Sequence, residues 1–438
     1  MAGKNILDTK RGRLGTFGLL YVSEGIPLGF AAVAMAAYMR REGVDVAQIG
    51  VFVAMFYLPW AFKWAWAPLV DLVGLKRFGG RKAWIVLCQV LMIVTLGAIA
   101  QIDHRNYFDL LITLVIIHNV FAATNDVAID SLAVNALHPE ERGQGNGFMF
   151  GGAYLGQGLG GGGAMFITDR FGFDVSFTYV ALLLTGVLLF TLFFVKDPTL
   201  TAAVSAKTGD VWRKFKAALG TFLAELRTGF FRSGPGPLVG VLFALLPFGA
   251  MALSSGVSTT LQVDIGMSDS QIASLNVSAT IVSAFGCIVG GWLADKLGRR
   301  RMLAAYYSMT IFPTLFMAIT LGGDTGLEAI TVPTYFAAAL SFYLFMGMHY
   351  GTAAAVFMGL TNPAIAATQF TGFMALRNLT ISYTNAWQGA AVDRWDYSTM
   401  FFIDAGLAII PILVIPFLWE RRTKDKPPSL GAPLPEAS

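Results

Sequence analysis

The chain has 438 residues, of which 55% are hydrophobic and 13% are charged, and its mean hydropathy is +0.62. A soluble globular protein carries about 25% charged residues, so this composition excludes that class and indicates an integral membrane protein. The net charge of +4 does not indicate nucleic-acid binding, because the cations lie in loops between apolar segments.

Twelve apolar segments of membrane-spanning length follow one another along the chain. A helix needs roughly 20 apolar residues to cross the hydrocarbon. The segments are approximately 14–38, 46–69, 83–101, 109–135, 144–167, 175–195, 236–260, 271–293, 302–322, 331–358, 367–390 and 398–419. We therefore predict an all-α membrane protein with twelve transmembrane helices in two six-helix bundles.

A polar stretch separates the first six segments from the last six. Its VWRKFKAALGTFLAEL run has helical spacing with a basic face, which predicts an amphipathic helix along the inner membrane surface; a partner-binding surface is the alternative. Gln48-Ile49 and Gln271-Ile272 open the second and eighth segments, so the halves look like a repeat with a substrate site between them. The predicted domains are 1–195 and 236–420, with a linker over 196–235 and a tail over 421–438.

The loops on one side of the membrane carry most of the cations. If both termini are cytoplasmic, 24 of the 31 Lys and Arg residues lie on the cytoplasmic side and two, Lys63 and Arg377, lie inside segments. This distribution follows the positive-inside rule. We predict that both termini are cytoplasmic, and we call the predicted cytoplasmic side the inner side and the opposite one the outer side.

Two inner loops repeat one arrangement of an acid, a glycine and several cations. They are KWAWAPLVDLVGLKRFGGRKAW, residues 63–84, and GGWLADKLGRRRML, residues 290–303. An Asp at the end of one helix can pair with an Arg that begins the next. We predict that the acids and cations of these loops gate the transport path, and the alternative is that each is an ordinary positively charged loop. The predicted gating residues are Asp71, Arg81, Asp295, Arg299 and Arg300.

Six ionisable acids and bases lie inside the apolar segments, where each costs a few kcal/mol unless it is paired or hydrated. They are Glu24, Lys63, Asp126, Asp130, Arg377 and Asp404. Glu24 precedes Gly25 and Pro27, which interrupt regular helical hydrogen bonding, and a carboxyl buried there can hold a proton. Asp126 and Asp130 lie one turn apart at about the same depth in the membrane as Lys63. One lysine can pair with only one of these two acids, so the other is available to a proton.

We therefore predict proton coupling through Glu24, Asp126, Asp130 and Lys63. The alternatives are a structural hydrogen bond for Glu24 and a structural inner gate for the other three. Asp404 lies near the outer end of the twelfth segment, and we predict a structural role for it.

Arg377 is the strongest candidate for substrate binding. A guanidinium offers parallel donors and keeps its charge, which suits a carboxylate or a phosphate; an internal ion pair with Glu24 is the alternative. The other predicted substrate-binding residues are Asn378, Tyr383, Gln388, His349, Tyr350, Asn125 and Tyr21. Cys, His and acidic residues are too scattered to predict a metal site, and no nucleotide motif is present, so we expect a proton gradient and no cofactor.

The fifth segment is rich in glycine. Its GFMFGGAYLGQGLGGGGAMF run has glycine at 151, 152, 156, 158 and 160–163. Glycine lets the backbones of neighbouring membrane helices approach closely. We predict close helix packing here; no strand precedes the run, so it does not predict a phosphate-binding loop.

Several motifs resemble those of the major facilitator superfamily. The pattern G-x-x-x-D-x-x-G-R-R is complete from Gly291 to Arg300, and K-x-x-W-x-P-L-x-D runs from Lys63 to Asp71. Together with SEGIPLGF and AATNDVAIDSLAV, these runs resemble the branch that holds AmpG-like muropeptide permeases, siderophore importers of the RhtX and FptX kind, and acetyl-CoA transporters of endomembranes.

The resemblance implies a monomeric transporter of the bacterial inner membrane, with lipid, protons and a small molecule as its partners and no nucleic acid. It implies proton-driven import of a bulky, polar, anionic metabolite by alternating access. Muropeptide permeases of this branch carry helices beyond the twelfth, whereas residues 421–438 form a short tail, so a siderophore or another anionic conjugate is an equal candidate. An exporter of the same fold and a membrane-embedded transferase are the alternatives; we expect no enzyme activity.

Overall fold

The computed structural model describes residues 5–72, 80–103, 106–138, 141–197, 208–232, 234–361 and 366–418. Within them the chain forms twelve membrane helices and one helix between the sixth and the seventh. This confirms the predicted all-α architecture. Eight of the described helices are long and apolar enough to cross a membrane by length and composition.

The first six membrane helices form what we call the N-terminal half. Three of them are interrupted by non-α segments at positions that matter for the site. The helices are α1 (Lys10–Arg41), α2 (Val46–Phe62, Lys63–Ala65 and Ala67–Leu72), α3 (Arg81–Ile99), α4 (Phe108–Ala136), α5 (Arg142–Gly158, Leu159–Gly163 and Ala164–Phe171) and α6 (Phe173–Phe194).

The last six form the C-terminal half, and only α7 is broken over several residues. They are α7 (Pro235–Ala244 and Gly256–Asp264), α8 (Asp269–Leu297), α9 (Arg299–Leu321), α10 (Val332–Leu360), α11 (Ala366–Arg394) and α12 (Tyr397–Phe417). The linker helix spans Thr208–Phe231, at the place where an amphipathic helix is predicted.

The break in α7 is a feature that the prediction of one continuous segment missed. Pro247 supplies no backbone N–H, and Gly249 has a φ of +81°, so the α-helix cannot continue. The buried Asp404 carboxylate accepts the backbone N–H groups of Met251 at 2.7 Å and Ala252 at 2.9 Å. Asp404 thereby satisfies backbone donors that the break would otherwise leave buried and unpaired, which is a structural role.

Helices α1 and α5 pack with their backbones in contact. A Cβ atom added to Gly152 would lie 2.0 Å from the carbonyl oxygen of Gly18, and one added to Gly160 would lie 1.9 Å from that of Ile26. Only glycine permits so close an approach. The predicted packing role of the glycine-rich segment is therefore met in the structure.

A π-helical segment interrupts each of these two helices, Phe30–Met35 in α1 and Leu159–Gly163 in α5. Such segments change the normal pattern of backbone hydrogen bonds and are frequent at functional sites. Here each one bonds to the C-terminal half. The hydroxyl of Thr259 donates to the carbonyl of Ala32 at 3.0 Å, and the N–H of Gly162 donates to Asn276 Oδ1 at 3.0 Å.

The linker helix packs against the inner ends of both halves. Phe222 stacks on Trp64 of α2 with ring centroids 5.7 Å apart. The hydroxyl of Thr368 in α11 donates to Glu225 at 2.7 Å. One face of this predicted amphipathic helix therefore contacts protein.

The two neighbouring glycines of α5 provide a matched test of this packing. Gly151→Ala should leave thermal stability unchanged, because no atom lies within 4 Å of the added methyl group. Gly152→Ala must displace the α1 backbone, and overpacking of this kind costs about 1–3 kcal/mol. The measurement is the midpoint of thermal unfolding of each purified variant in detergent; equal midpoints would contradict the packing role.

Candidate transport site

Five polar side chains of α1, α2 and α4 meet in what we call the acid cluster: Tyr21, Glu24, Lys63, Asp126 and Asp130. The Lys63 ammonium forms an ion pair with the Asp126 carboxylate, whose side chain is 5% exposed. The Tyr21 hydroxyl donates to Asp130. The buried Glu24 carboxyl interacts electrostatically with Asp126, Asp130 and Lys63, and its Oε1 has no hydrogen-bond partner. Three carboxyls thus lie close to one ammonium, and like charges this close disfavour ionisation of all three, so this site is suited to hold a proton.

The acid cluster joins the four predicted proton-coupling residues with Tyr21. Glu24 lies near enough to the Lys63–Asp126 pair for an electrostatic interaction with both residues. Tyr21 was predicted to bind substrate, and its hydroxyl donates to Asp130. Asn125 lies beside the cluster, where its amide donates to Ser23 Oγ at 3.4 Å and its buried Oδ1 accepts no hydrogen bond.

Arg377 is a buried cation in the C-terminal half. The residue is only 6% exposed. Its guanidinium carbon lies 3.8 Å from the ring centroid of Phe248 and 5.3 Å from that of Tyr350. Buried Nη2 has no hydrogen-bond partner. In the described part of the chain no carboxylate lies within 4.0 Å of it, so the alternative of an ion pair with Glu24 is absent there.

The surroundings of Arg377 face the N-terminal half. Tyr350 is 40% exposed, and the polar groups near it include Tyr57 of α2 and Tyr154 of α5. Both tyrosines belong to the N-terminal half, so the side of α10 that carries Tyr350 faces that half. The ring of His349 packs edge-on against Tyr307, with centroids 4.9 Å apart, and its buried Nδ1 has no partner.

The remaining predicted substrate-binding residues lie elsewhere on α11. The Tyr383 hydroxyl donates to the carbonyl of Leu245 at 2.5 Å, and the Gln388 amide donates to Asp404 at 2.7 Å. Both therefore support the break in α7. Asn378 is half-buried beside Arg377 in sequence. Of the predicted set, the structure groups Arg377 with His349 and Tyr350.

The predicted gating residues are placed at the inner loops. Arg299 contacts Asp295 at 3.1 Å across Gly298, but both side chains are largely exposed, so this pair contributes little stability. Arg300 is exposed. The backbone N–H of Arg81 donates to Asp197 at 2.8 Å, and its guanidinium donates to Ser131 at 2.5 Å. The side chain of Asp71 lies outside the described residues, and gating by all five stays a prediction.

A family model described as Major Facilitator Superfamily matches residues 17–385 of this chain. The chain belongs to the major facilitator superfamily. It is therefore a multi-pass membrane transporter for a small molecule and not an enzyme.

The anhydromuropeptide permease of Escherichia coli K12 is a curated relative, 25% identical over 401 residues that cover 91% of this chain and 77% of the permease. Solved structures of other transporters share the fold. The inward open xylose transporter XylE from E. coli has a TM-score of 0.67 at 15% identity, with coverage of 94% and 98%. A POT family transporter in complex with 5-aminolevulinic acid has a TM-score of 0.70 at 12% identity, with coverage of 93% and 96%.

The two halves of this facilitator are ion-paired on the outer side. Arg40 at the end of α1 makes two hydrogen bonds to the Asp264 carboxylate at the end of α7, at 2.7 and 2.8 Å. The Tyr397 hydroxyl donates to the same carboxylate at 2.7 Å, and Arg41 pairs with Asp269. The outer ends are therefore held together in this conformation, whereas the sequence predicts gates only at the inner loops.

This outer pair can be tested by charge exchange. Arg40→Gln or Asp264→Asn should separate the outer ends of the facilitator, because each removes a paired charge between the halves. The double variant Arg40→Asp with Asp264→Arg should restore the closed distance. Pulsed electron paramagnetic resonance between spin labels at the exposed residues 174 and 328 measures that distance. An unchanged distance in both single variants would show that the pair does not hold this side closed.

Proposed function

We propose that this facilitator is a proton-coupled importer of a bulky, polar, anionic metabolite, with a muropeptide-like substrate as the leading candidate. The observation that supports an anionic substrate most directly is the state of Arg377. Its guanidinium is buried, one of its nitrogens has no hydrogen-bond partner, and no carboxylate of the described residues lies beside it. A buried cation is costly without an anion. A carboxylate or phosphate of the substrate is the group that would complete this site.

The aromatic groups around Arg377 support a bulky substrate. Phe248 and Tyr350 offer ring faces beside the guanidinium, and Tyr350 is 40% exposed. Aromatic ring faces can bind the apolar face of a sugar or a planar group of the substrate, while the guanidinium binds the anionic group of the same substrate. A substrate that has both features matches this site better than a small inorganic anion does.

The acid cluster supports coupling to protons. It contains three carboxyls, and Lys63 pairs with one of them. Import of an anion into a negatively charged cell is opposed by about 2.3 kcal/mol per charge at 100 mV. A proton that enters on Glu24 or Asp126 cancels one such charge, so the proton gradient can drive accumulation.

Similarity supports the substrate class and the membrane. The E. coli relative is named as an anhydromuropeptide permease, and we extend an import function of that kind to this chain. A siderophore or another anionic conjugate fits the same pair of an arginine and aromatic rings. We place the protein in the bacterial inner membrane as a monomer with both termini in the cytoplasm and two six-helix domains.

A thermal-shift screen of the purified protein tests the substrate class. Muropeptides, siderophores and acyl-CoA compounds are compared, because a ligand that binds only the folded protein raises its unfolding midpoint. The proposal expects stabilisation by an anionic compound. Stabilisation only by neutral or cationic compounds would contradict it.

Glu24→Gln should abolish proton-driven accumulation and leave counterflow intact, because an amide cannot accept or release the proton. The measurement is uptake of the labelled ligand identified in the screen into proteoliposomes, with and without a pH gradient. Glu328→Gln, which changes an exposed outer acid, is the matched control and should behave as the wild type. Accumulation by Glu24→Gln at the wild-type level would remove Glu24 from coupling.

Arg377→Gln should weaken binding of an anionic ligand roughly 10- to 150-fold, the range expected for the loss of a charge-assisted hydrogen bond. Arg377→Lys keeps the charge but lacks the planar guanidinium, so its affinity for the ligand should lie between those of Arg377→Gln and the wild type. Arg394→Gln, at the outer end of the same helix, is the control. Equal affinity of Arg377→Gln and wild type in a calorimetric titration would place the anion elsewhere.

A further inference from the structure

A single turn of α2 brings Lys63 to the acid cluster. The α-helix ends at Phe62, whose φ and ψ are −112° and 1°, and a 3-10 turn follows over Lys63–Ala65. Residues three apart lie on the same side of such a turn, and nearly so on the preceding α-helix. Trp60, Lys63 and Trp66 therefore share one side of α2, and all three contact α4.

Each of the two tryptophans is hydrogen-bonded to α4. The Trp66 indole N–H donates to Thr124 Oγ1 at 3.0 Å, and this hydroxyl donates to the carbonyl of Val120 at 2.6 Å. The Trp60 indole N–H donates to Asn119 Oδ1 at 3.3 Å. Asn119 and Thr124 are buried, so the two bonds attach the turn to α4 on both sides of Lys63.

Lys63 needs such support because its side chain is long and flexible. Holding a lysine in one geometry costs on the order of 2 kcal/mol of rotamer entropy. Its ammonium lies 5.4 Å from the ring centroid of Trp60 while it pairs with Asp126. The ring restricts the ammonium from one side, and the two indole bonds fix the distance between the turn and α4.

We infer that Trp60 and Trp66 are positioning residues that hold the Lys63 ammonium on the Asp126 carboxylate through their hydrogen bonds to α4. Neither residue exchanges a proton or contacts the guanidinium of Arg377. The inference concerns the acid cluster, and its consequence for transport rests on the proposed proton coupling.

The same turn contains a matched control. Trp64 lies between the two positioning residues, but its indole N–H donates to the carbonyl of Ala61 at 3.1 Å, within α2 itself. Its ring stacks on Phe222 of the linker helix. Trp64→Phe therefore removes an identical donor from the same turn without removing a bond to α4.

The test measures the reactivity of the Lys63 amine in the full-length purified transporter. An amine-reactive acylating reagent modifies lysines that lose their carboxylate partner, and mass spectrometry quantifies each site. Trp60→Phe and Trp66→Phe should each raise modification of Lys63 roughly two- to tenfold, the range of one net hydrogen bond. Trp64→Phe should leave it unchanged, and Asp126→Asn gives the upper limit.

Thr124, which accepts the Trp66 hydrogen bond on α4, allows a second test of the same inference. Thr124→Val should reproduce the effect of Trp66→Phe, whereas Thr124→Ser keeps the hydroxyl and should behave as the wild type. The double variant Trp66→Phe with Thr124→Val should be no worse than either single variant, because both remove one bond. These variants preserve the test if a tryptophan variant fails to fold. No rise in Lys63 modification, or an equal rise in Trp64→Phe, would overturn the inference.

A transport measurement separates this inference from the proposed function. An acid that loses its paired cation takes up a proton at higher pH, so proton-driven uptake of labelled anhydromuropeptide by Trp66→Phe should reach half its maximum at a higher pH than in Trp64→Phe. If Lys63 modification rises without this shift, the positioning role stands and the coupling role of the acid cluster fails. A general loss of folding would lower uptake at every pH and would not move the midpoint.

Discussion

The rest of the structure depends on the cost of placing charge in a hydrocarbon layer. The two halves meet that constraint differently. The N-terminal half contains three carboxyls close to one lysine, so it has an excess of acid that a proton can reduce. The C-terminal half buries Arg377 against aromatic rings and leaves it without an acid in the described residues. One half thus lacks positive charge and the other lacks negative charge, and a proton together with an anion would correct both.

Departures from regular helix geometry occur where the polar residues need them. The 3-10 turn of α2 turns Lys63 toward α4, and the break in α7 exposes backbone N–H groups that Asp404 accepts. Asp404 is itself bonded to Gln388 of α11, so a residue near the outer end of α12 supports a helix that lies beside the Arg377 site. The supporting contacts extend well beyond the residues that would meet a substrate.

Composition and segment length were sufficient to predict twelve helices, because apolar runs of this length have few other stable structures. Because charged residues are rare inside membrane segments, Glu24, Lys63 and Arg377 could be selected from the sequence as candidate site residues. Partners were harder to predict, because depth along a helix does not give the direction in which a side chain points. Tyr21 and Gln388 were predicted to bind substrate, and the sequence did not indicate that each bonds to an acid. The break in α7 was readable from Pro247 and Gly249, whereas Trp60 and Trp66 needed their acceptors on α4 to be known.

The two π-helical segments have a consequence for how such a transporter opens. Thr259 and Asn276 supply hydrogen bonds to the backbone of α1 and α5 from across the boundary between the halves. When the outer ends separate, the Ala32 carbonyl and the Gly162 amide lose those partners and must be hydrated, or the segments must return to α-helical hydrogen bonding. Unless the segments return to α-helical hydrogen bonding, water has to reach this depth at the moment of separation, and hydration of the backbone then coincides with exposure to the outer medium.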